Sequence, residues 1–227
     1  MACYLYAKEA SAYLWSIVSG WVRSMVQKTS DKSNEILDAA RAIVRKDGPD
    51  RLTFDAVAES VGISKQAVIY WFPNKARLVE ALVRPALEAE AAAGKAALTR
   101  NIGADTAIRR LIEALAVFHT SDLDRFRLMY VTPQIGQRVS RRGAMLSTLG
   151  RIHPATTEMY DALAEKLVAG GRYNRVMDAR RAAAAVHTSL LGLLLRMAMA
   201  DTLNAPLRHR DDALIEALLE VIAPQAA

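Results

Sequence analysis

The sequence predicts an all-α fold, with an N-terminal three-helix helix-turn-helix domain and a C-terminal helical domain behind it. Apolar residues recur at helical spacing along most of the chain, and we find no convincing strand alternation. Alanine, leucine and arginine are abundant and aromatic residues make up only 6% of the chain, which favours helix over strand. With 227 residues, of which 52% are hydrophobic, the chain can bury a substantial core.

The charge balance and the cysteine count bear on the class of binding partner and on the cellular compartment. The chain carries 30 Lys and Arg against 24 Asp and Glu, and this net charge of +6 weakly favours a polyanionic partner. The single cysteine, Cys3, cannot form an internal disulfide, which fits the reducing cytoplasm. The most apolar run, residues 182–200, contains His187 and Arg196 and has helical periodicity. It therefore predicts a buried helix and no membrane span.

Residues 1–27 are an N-terminal extension that has two alternative interpretations. They lack the basic start, apolar centre and small-residue cleavage site of a signal peptide. One interpretation is an amphipathic helix, because apolar residues fall on a single helical stripe. The other is an upstream extension, with Met25 as the native start. The stripe consists of Leu14, Ile17, Val18, Trp21, Val22 and Met25.

Residues 28–83 contain the signals of three helices and the start of a fourth. Ser30 is a typical helix cap for the first, and Gly48 ends it. Asn74 can cap the fourth, a long helix that runs through the start of the second domain, residues 84–227, towards Leu98.

The second and third helices form the helix-turn-helix. The second runs from Thr53 to about Ser60. Ser64 caps the third, which ends near Phe72 because Pro73 disfavours helical geometry in the residue before it.

Three residues make the turn between these helices specific. Ala58 is small where the two backbones approach, and Gly62 tolerates the left-handed conformation of the turn. Val68, together with Ile63, fills the wedge between the helices. The alternative is an ordinary helical hairpin with a solvated outer face.

The rest of the chain repeats the helical pattern. Apolar residues from Ile108 to Phe118 line one helix, and a looser segment with several arginines covers residues 135–151. The remaining predicted helices are 122–131, 156–169, 179–203 and 211–222. The last two carry apolar stripes that predict a four-helix dimer interface, or, alternatively, stripes that are consumed within one subunit.

Three segments of the N-terminal domain resemble a known family. From Gly62 the chain reads Gly-Ile-Ser-Lys-Gln-Ala-Val-Ile-Tyr-Trp-Phe-Pro-Asn-Lys-Ala-Arg-Leu. Before it come Ile-Leu-Asp-Ala-Ala-Arg-Ala, from Ile36, and Thr-Phe-Asp-Ala-Val-Ala, from Thr53. Over about residues 32–83 these resemble the TetR (tetracycline-repressor-like) family. The resemblance implies a DNA-binding domain, a variable ligand-binding domain, and a homodimer on double-stranded DNA with a two-fold symmetric operator.

Carried over by position, the resemblance assigns roles to individual residues. Thr53, Tyr70 and Lys75 would touch phosphates, while bases would face the start of the third helix. The family usually has tyrosine where this chain has Ile69, which cannot donate a hydrogen bond, so Tyr70 is the candidate for that phosphate contact. The complete predicted DNA-binding set is Thr53, Ser64, Lys65, Gln66, Ala67, Tyr70, Trp71 and Lys75.

No catalytic or metal-binding constellation competes with this interpretation. The four histidines are scattered without paired ligand spacing, and we find no nucleophile elbow, phosphate-binding glycine loop or zinc motif. We therefore expect no enzyme activity, no metal and no cofactor. His119 and His187 lie on or near apolar faces, where a structural histidine is the more common case.

The second domain contains residues that could line an apolar cavity, although simple core packing explains each of them as well. The predicted function is a repressor that a small apolar molecule releases from its operator. The alternative is a helical ligand-binding module without specific DNA binding. The candidate cavity residues are Phe118, His119, Phe126, Met129, Tyr130, Met159, His187 and Leu191, with Tyr160 and Met197 as further members.

Overall fold

The computed structural model describes residues 31–99, 101–131 and 153–224. All regular secondary structure within these ranges is helical, which confirms the predicted all-α fold. The chain divides into two compact units, and the division falls after Leu78, inside a helix. Predictions for residues 1–27 and 135–151 concern segments outside the described residues.

The first unit contains a three-helix core and the start of a fourth helix. Helix α1 covers residues 31–47, and Gly48 follows it with a φ of 83°. A 3-10 turn at Pro49–Arg51 leads to α2 (Phe54–Val61), α3 (Lys65–Trp71) and α4 (Lys75–Ala97). Caps fix the start of α4, because the side chain of Asn74 accepts a hydrogen bond from the Arg77 N–H at 3.0 Å. The core of this unit includes Ile36, Ala40, Leu52, Val57 and Val68, all fully buried.

In the described part of the second unit, the remainder of α4 is followed by five further α-helices. They are α5 (Ala104–Thr120), α6 (Leu123–Phe126), α7 (Pro154–Ala169), α8 (Val176–Thr202) and α9 (Asp211–Ile222). Helix α5 is amphipathic and contacts α7, α8 and α9, so it forms the centre of the unit. Its buried face includes Ala107, Ile108, Leu111, Ile112 and Leu115.

The segment predicted as one helix over residues 122–131 is two elements. Asp122 caps the single turn of α6, where its carboxylate accepts from the Arg125 N–H at 2.9 Å. A π-helical turn at Arg127–Val131 then continues the chain. A π turn carries one more residue per hydrogen-bonded ring than an α turn, so it rotates the side chains that follow. Met129 and Tyr130 lie in this turn.

Helix α8 is long and apolar enough to cross a membrane by length and composition. Its buried residues fall on one helical face, at Ala179, Ala183, Val186, Leu190 and Leu194, and belong to the core of the second unit. Core helices of globular domains meet the same length and composition criteria, so this helix is explained by packing.

Candidate DNA-binding surface and buried polar cluster

The turn between α2 and α3 has the geometry that the sequence predicts. Gly62 adopts φ 70° and ψ 36°, the left-handed region that residues with a side chain rarely enter. The Ile63 N–H donates to the Ala58 carbonyl at 3.0 Å across the turn. Ala58 and Val68 are buried between the two helices, and Ile63 is half-buried.

The predicted base-contacting residues lie on the outer face of α3. Ser64, Lys65 and Gln66 are exposed, and Ala67 is half-buried. The Ser64 Oγ accepts from the Ala67 N–H at 3.1 Å, so its acceptor caps the helix while its O–H remains a donor. Thr53 has the same arrangement at the start of α2, where its Oγ1 accepts from the Ala56 N–H at 3.1 Å.

The predicted phosphate-contacting residues flank this face. Tyr70 is 80% exposed, and its ring meets the edge of the half-buried Trp71 ring at a centroid distance of 5.4 Å. Lys75 is the first residue of α4 and is half-buried. Ile69, which replaces the family's usual tyrosine, is 37% exposed beside Tyr70.

Asp55 is a residue of this surface that the sequence analysis did not single out. Its Oδ2 pairs with the Nζ of Lys65 at 2.8 Å, and both side chains are solvent-exposed. A carboxylate beside a lysine lowers the net positive charge that the pair presents to a polyanion. Asp55 therefore reduces the net positive charge at the exposed start of α3.

A buried polar cluster lies in the second unit, around Glu90 of α4. Glu90 is 0% exposed. Its Oε1 lies 2.7 Å from Nε2 of His119 and 3.1 Å from Nε2 of His187. The hydroxyl of Tyr130 donates to both carboxylate oxygens, at 2.8 and 2.6 Å. Tyr160 completes the cluster, with its hydroxyl 2.8 Å from Nδ1 of His187.

These hydrogen bonds define the charge state of the cluster. Burial acts to raise the pKa of Glu90, but the hydrogen bonds of its carboxylate to His119 and His187 outweigh it and lower the pKa to about 2. Burial, together with the Glu90 charge, raises the pKa of Tyr130 well above its ordinary value and that of Tyr160 to about 12. At neutral pH the cluster therefore holds a carboxylate and two uncharged phenols.

Some of the predicted cavity residues meet in the polar cluster around Glu90, and the others lie outside it. His119, Phe126, Tyr130 and His187 meet in this cluster, since the Phe126 ring lies 5.3 Å from the His119 ring and 5.4 Å from the Tyr130 ring. Met159 is fully buried against Gly94, one turn beyond Glu90 on α4.

The other predicted cavity residues are more peripheral. Phe118 is half-buried, with the Arg125 guanidinium 4.0 Å from its ring centroid. Leu191 is half-buried one turn after His187, and Met129 is buried in the π turn. Met197 lines a separate groove of about 780 Å³, open to solvent, beside residues 204–212.

Glu90 is the main residue of the second unit that sequence reasoning missed. It lies eight residues after Leu82 and four before Gly94, on the same face of α4 as the buried leucines. An acidic residue on a buried stripe, in a chain with two histidines on other apolar faces, was the available signal. Among the described ranges, no group of three or more His, Cys, Asp or Glu residues is placed to hold a metal ion.

Solved structures with the same fold cover most of the chain. FadR from Bacillus subtilis, solved with stearoyl-CoA, is 15% identical with a TM-score of 0.62, and 83% of this chain and 96% of that one are covered. PfmR, a TetR-family regulator from Thermus thermophilus, is 22% identical with a TM-score of 0.53, at 83% and 96% coverage. TetR from Acinetobacter baumannii AYE is 20% identical with a TM-score of 0.58, at 83% and 92% coverage.

Sequence comparison finds a family model that is similar to part of the first unit. A search of curated protein sequences gave no match. Residues 36–82, however, match the model of bacterial regulatory proteins of the tetR family, and these residues include the whole helix-turn-helix. Regulators of this family generally bind DNA and respond to ligands. Residues 36–82 are thus similar to the tetR family of bacterial regulatory proteins, and the described part of the chain has the fold of solved TetR-family regulators.

Proposed function

We propose that this protein is a sequence-specific transcriptional repressor, a cytoplasmic homodimer that a small molecule releases from a two-fold symmetric operator. The observation that carries the proposal is the helix-turn-helix, where α3 exposes donors and a cation on a short, capped helix. Such a helix reaches only a few base pairs, so two copies are needed to specify an operator. The role requires binding alone and no catalytic step.

The positions of the predicted residues at the N-terminal ends of α3 and α4 support separate roles in DNA binding. Lys65, Gln66 and Ala67 form the first turn of α3, the part of a recognition helix that meets base edges. Lys75 is at the N-terminus of α4, where a cation and free helix N–H groups both favour a phosphate. We therefore assign base readout to the first turn of α3 and backbone anchoring to Thr53, Tyr70 and Lys75.

Selection of binding sites from random DNA by the purified full chain tests this assignment. Lys75→Ala should weaken binding to all sequences alike and reduce the slope of log affinity against log salt by about one unit. Gln66→Ala should relax the preference at one base position, at a cost of about 1–3 kcal/mol. Lys95→Ala, an exposed lysine of the second unit, is the matched control and should leave both quantities unchanged.

Failure to select any sequence would favour the alternative, a helical ligand-binding module without specific DNA binding. Uniform loss of affinity for Gln66→Ala across all sequences would remove Gln66 from base readout.

Exposed stripes on α8 and α9 support dimerisation through these two helices. On α8 the stripe includes Gly192, Leu195 and Met199, of which Leu195 is 41% and Met199 53% exposed. On α9 it includes Ala217 and Val221, and Val221 is 82% exposed. Small and apolar residues at this spacing suit a four-helix bundle formed by two subunits.

The structure also determines which substitution tests the dimer. Leu218 packs against the core of its own unit, so Leu218→Glu would disturb the fold. Val221→Glu places the charge on the exposed stripe, and we expect folded monomers with reduced operator affinity. Sedimentation measures the oligomeric state, with Glu220→Gln on the solvent-exposed part of the same helix as the control. A folded Val221→Glu protein that remains dimeric would place the interface elsewhere.

An effector site in the second unit is supported by the cluster around Glu90. FadR binds stearoyl-CoA, and a variant of the Acinetobacter TetR binds minocycline, so effectors of related folds differ widely in chemistry. For this chain we propose a ligand with an apolar body that packs against Phe126, Met159 and Leu191, and that meets polar groups at His119, Tyr130 and His187. A ligand can release DNA only if it binds one dimer geometry better than the other.

A further inference from the structure

The polar cluster around Glu90 has a one-sided hydrogen-bonding capacity. In the tautomer that lets both imidazoles donate to the Glu90 carboxylate, His119 and His187 each carry the proton on Nε2. Nδ1 of His187 is then an acceptor, and the Tyr160 hydroxyl donates to it. The Tyr130 hydroxyl donates to Glu90. Every N–H and O–H of these side chains is therefore in use.

The capacity that remains is for accepting hydrogen bonds. Nδ1 of His119 is buried and has no hydrogen-bond partner among the residues that the structure describes. The Oε2 atom of Glu90 accepts from Tyr130 alone, while Oε1 accepts from His119, His187 and Tyr130. A carboxylate oxygen can accept about two hydrogen bonds, so Oε2 has room for one more donor.

The charge of the cluster is also one-sided. Glu90 contributes one negative charge, and no Lys or Arg side chain is among its described hydrogen-bond partners. The arginines of the adjoining segment make other contacts: Arg125 covers the Phe118 ring, and Arg127 pairs with Asp124 and Asp201. A buried anion without a cationic partner favours a ligand that brings the opposite charge.

The surroundings of the cluster suit the apolar part of a ligand. Phe126 and Met159 are buried in the same core, while Tyr130, Tyr160 and Leu191 are half-buried and pack against it. Tyr130 lies in the π-helical turn, a type of helical distortion that occurs frequently at functional sites.

We propose that this cluster is the recognition end of the effector site, and that it selects organic cations, which carry an ammonium or amidinium group on an apolar body, over carboxylates. The cation donates to Oε2 of Glu90 and to Nδ1 of His119. A carboxylate of the same shape offers acceptors to a cluster that has no donor left and places a second anion beside Glu90. This inference rests on the proposed effector site and specifies its ligand class.

Calorimetric titration of the full-length protein with matched probes tests the inference. The probes are naphthylmethylamine, naphthylmethanol and naphthoate, which share an apolar body and differ in their polar group, together with the same three groups on a biphenyl body. We expect the amine to bind at least about tenfold more tightly than the alcohol and the carboxylate on one or both bodies, about 1.4 kcal/mol. Glu90→Gln should remove this preference, and Glu88→Gln, at an exposed position of the same helix, should retain it.

The outcomes decide between this inference and the broader function. Three results would overturn the inference. The carboxylates could bind as tightly as the amines, or the amines could fail to bind on either body. The third is an amine preference that survives in folded Glu90→Gln. The ranking on the wild-type protein decides the matter even if the variant fails to fold. Operator binding by the same preparation without probes tests the proposed function separately, since it does not depend on the ligand class.

Discussion

Replacement of Glu90 by glutamine should lower stability at neutral pH and leave it unchanged at low pH. The wild-type pKa of about 2, against an ordinary value of 4.5, means that the folded state prefers the ionised carboxylate. For a group with a lowered folded-state pKa, this stabilisation is fully present above about pH 4.5. It is lost as the pH falls towards about 2.

The size of the effect follows from the same pKa difference. At 1.36 kcal/mol per unit, the shift corresponds to about 3 kcal/mol of unfolding free energy. Glutamine resembles the protonated carboxyl group, because it has the same shape and carries no charge. We therefore expect Glu90→Gln to lose about 3 kcal/mol at pH 7 and progressively less below pH 4.5.

Urea denaturation followed by circular dichroism, at one fixed protein concentration and several pH values, measures this difference. The fixed concentration is needed because dimerisation couples to stability. Glu88→Gln is the control and should follow the wild-type curve, since Glu88 is exposed on the same helix. A loss below about 1 kcal/mol at pH 7, or a loss that does not vary with pH, would refute the assignment of Glu90 as a buried carboxylate stabilised by its hydrogen bonds.

Two further predictions concern a close helix contact and the DNA-binding surface. In Gly94→Ala the new Cβ would lie 2.4 Å from Sδ of Met159 and 2.9 Å from Cδ1 of Leu111, so thermal unfolding should show a loss of about 1–3 kcal/mol from overpacking, partly offset by alanine's higher helix propensity. Asp55→Asn removes the carboxylate paired with Lys65, so fluorescence anisotropy should show tighter binding to unrelated DNA and a salt slope steeper by about one unit.

Each of these predictions has a matched control. Ala89→Gly measures helix propensity at an exposed position of α4, and its expected cost is about 1 kcal/mol. Gly94→Ala that proves more stable than wild type would mean that Met159 moves aside without cost. Glu59→Gln alters an exposed acid on the same helix as Asp55 and is the control for Asp55→Asn. If both variants gain DNA affinity equally, the gain comes from the change in net charge and the Asp55–Lys65 pair has no specific role.

The helix-turn-helix could be predicted from sequence because its determinants are local. The conformation of Gly62, the cap at Ser64 and the end of α3 before Pro73 each depend on residues within one turn of the chain. The same holds for α9, which begins and ends where its apolar stripe predicts, at Asp211 and Ile222.

The polar cluster could not be predicted because its members are distant in sequence. Glu90, His119, Tyr130, Tyr160 and His187 come from five separate elements, and no local spacing relates them. Periodicity places a residue on a buried face but does not identify its partner across the core. The sequence therefore identified the histidines as buried candidates, whereas the carboxylate that they bind emerged only from tertiary packing.

Glu90 and the proposed phosphate contact Lys75 both belong to α4. They are fifteen residues apart in its sequence. Pro85 lies between them and lacks the N–H that would bond to the carbonyl four residues earlier, so the helix is weakened at that point. A ligand that binds Glu90 acts on the second part of α4, and its free energy can reach operator binding only if the two dimer geometries hold Glu90 differently. By linkage, bound operator DNA must then lower the affinity for the ligand by the same factor by which bound ligand lowers the affinity for operator DNA.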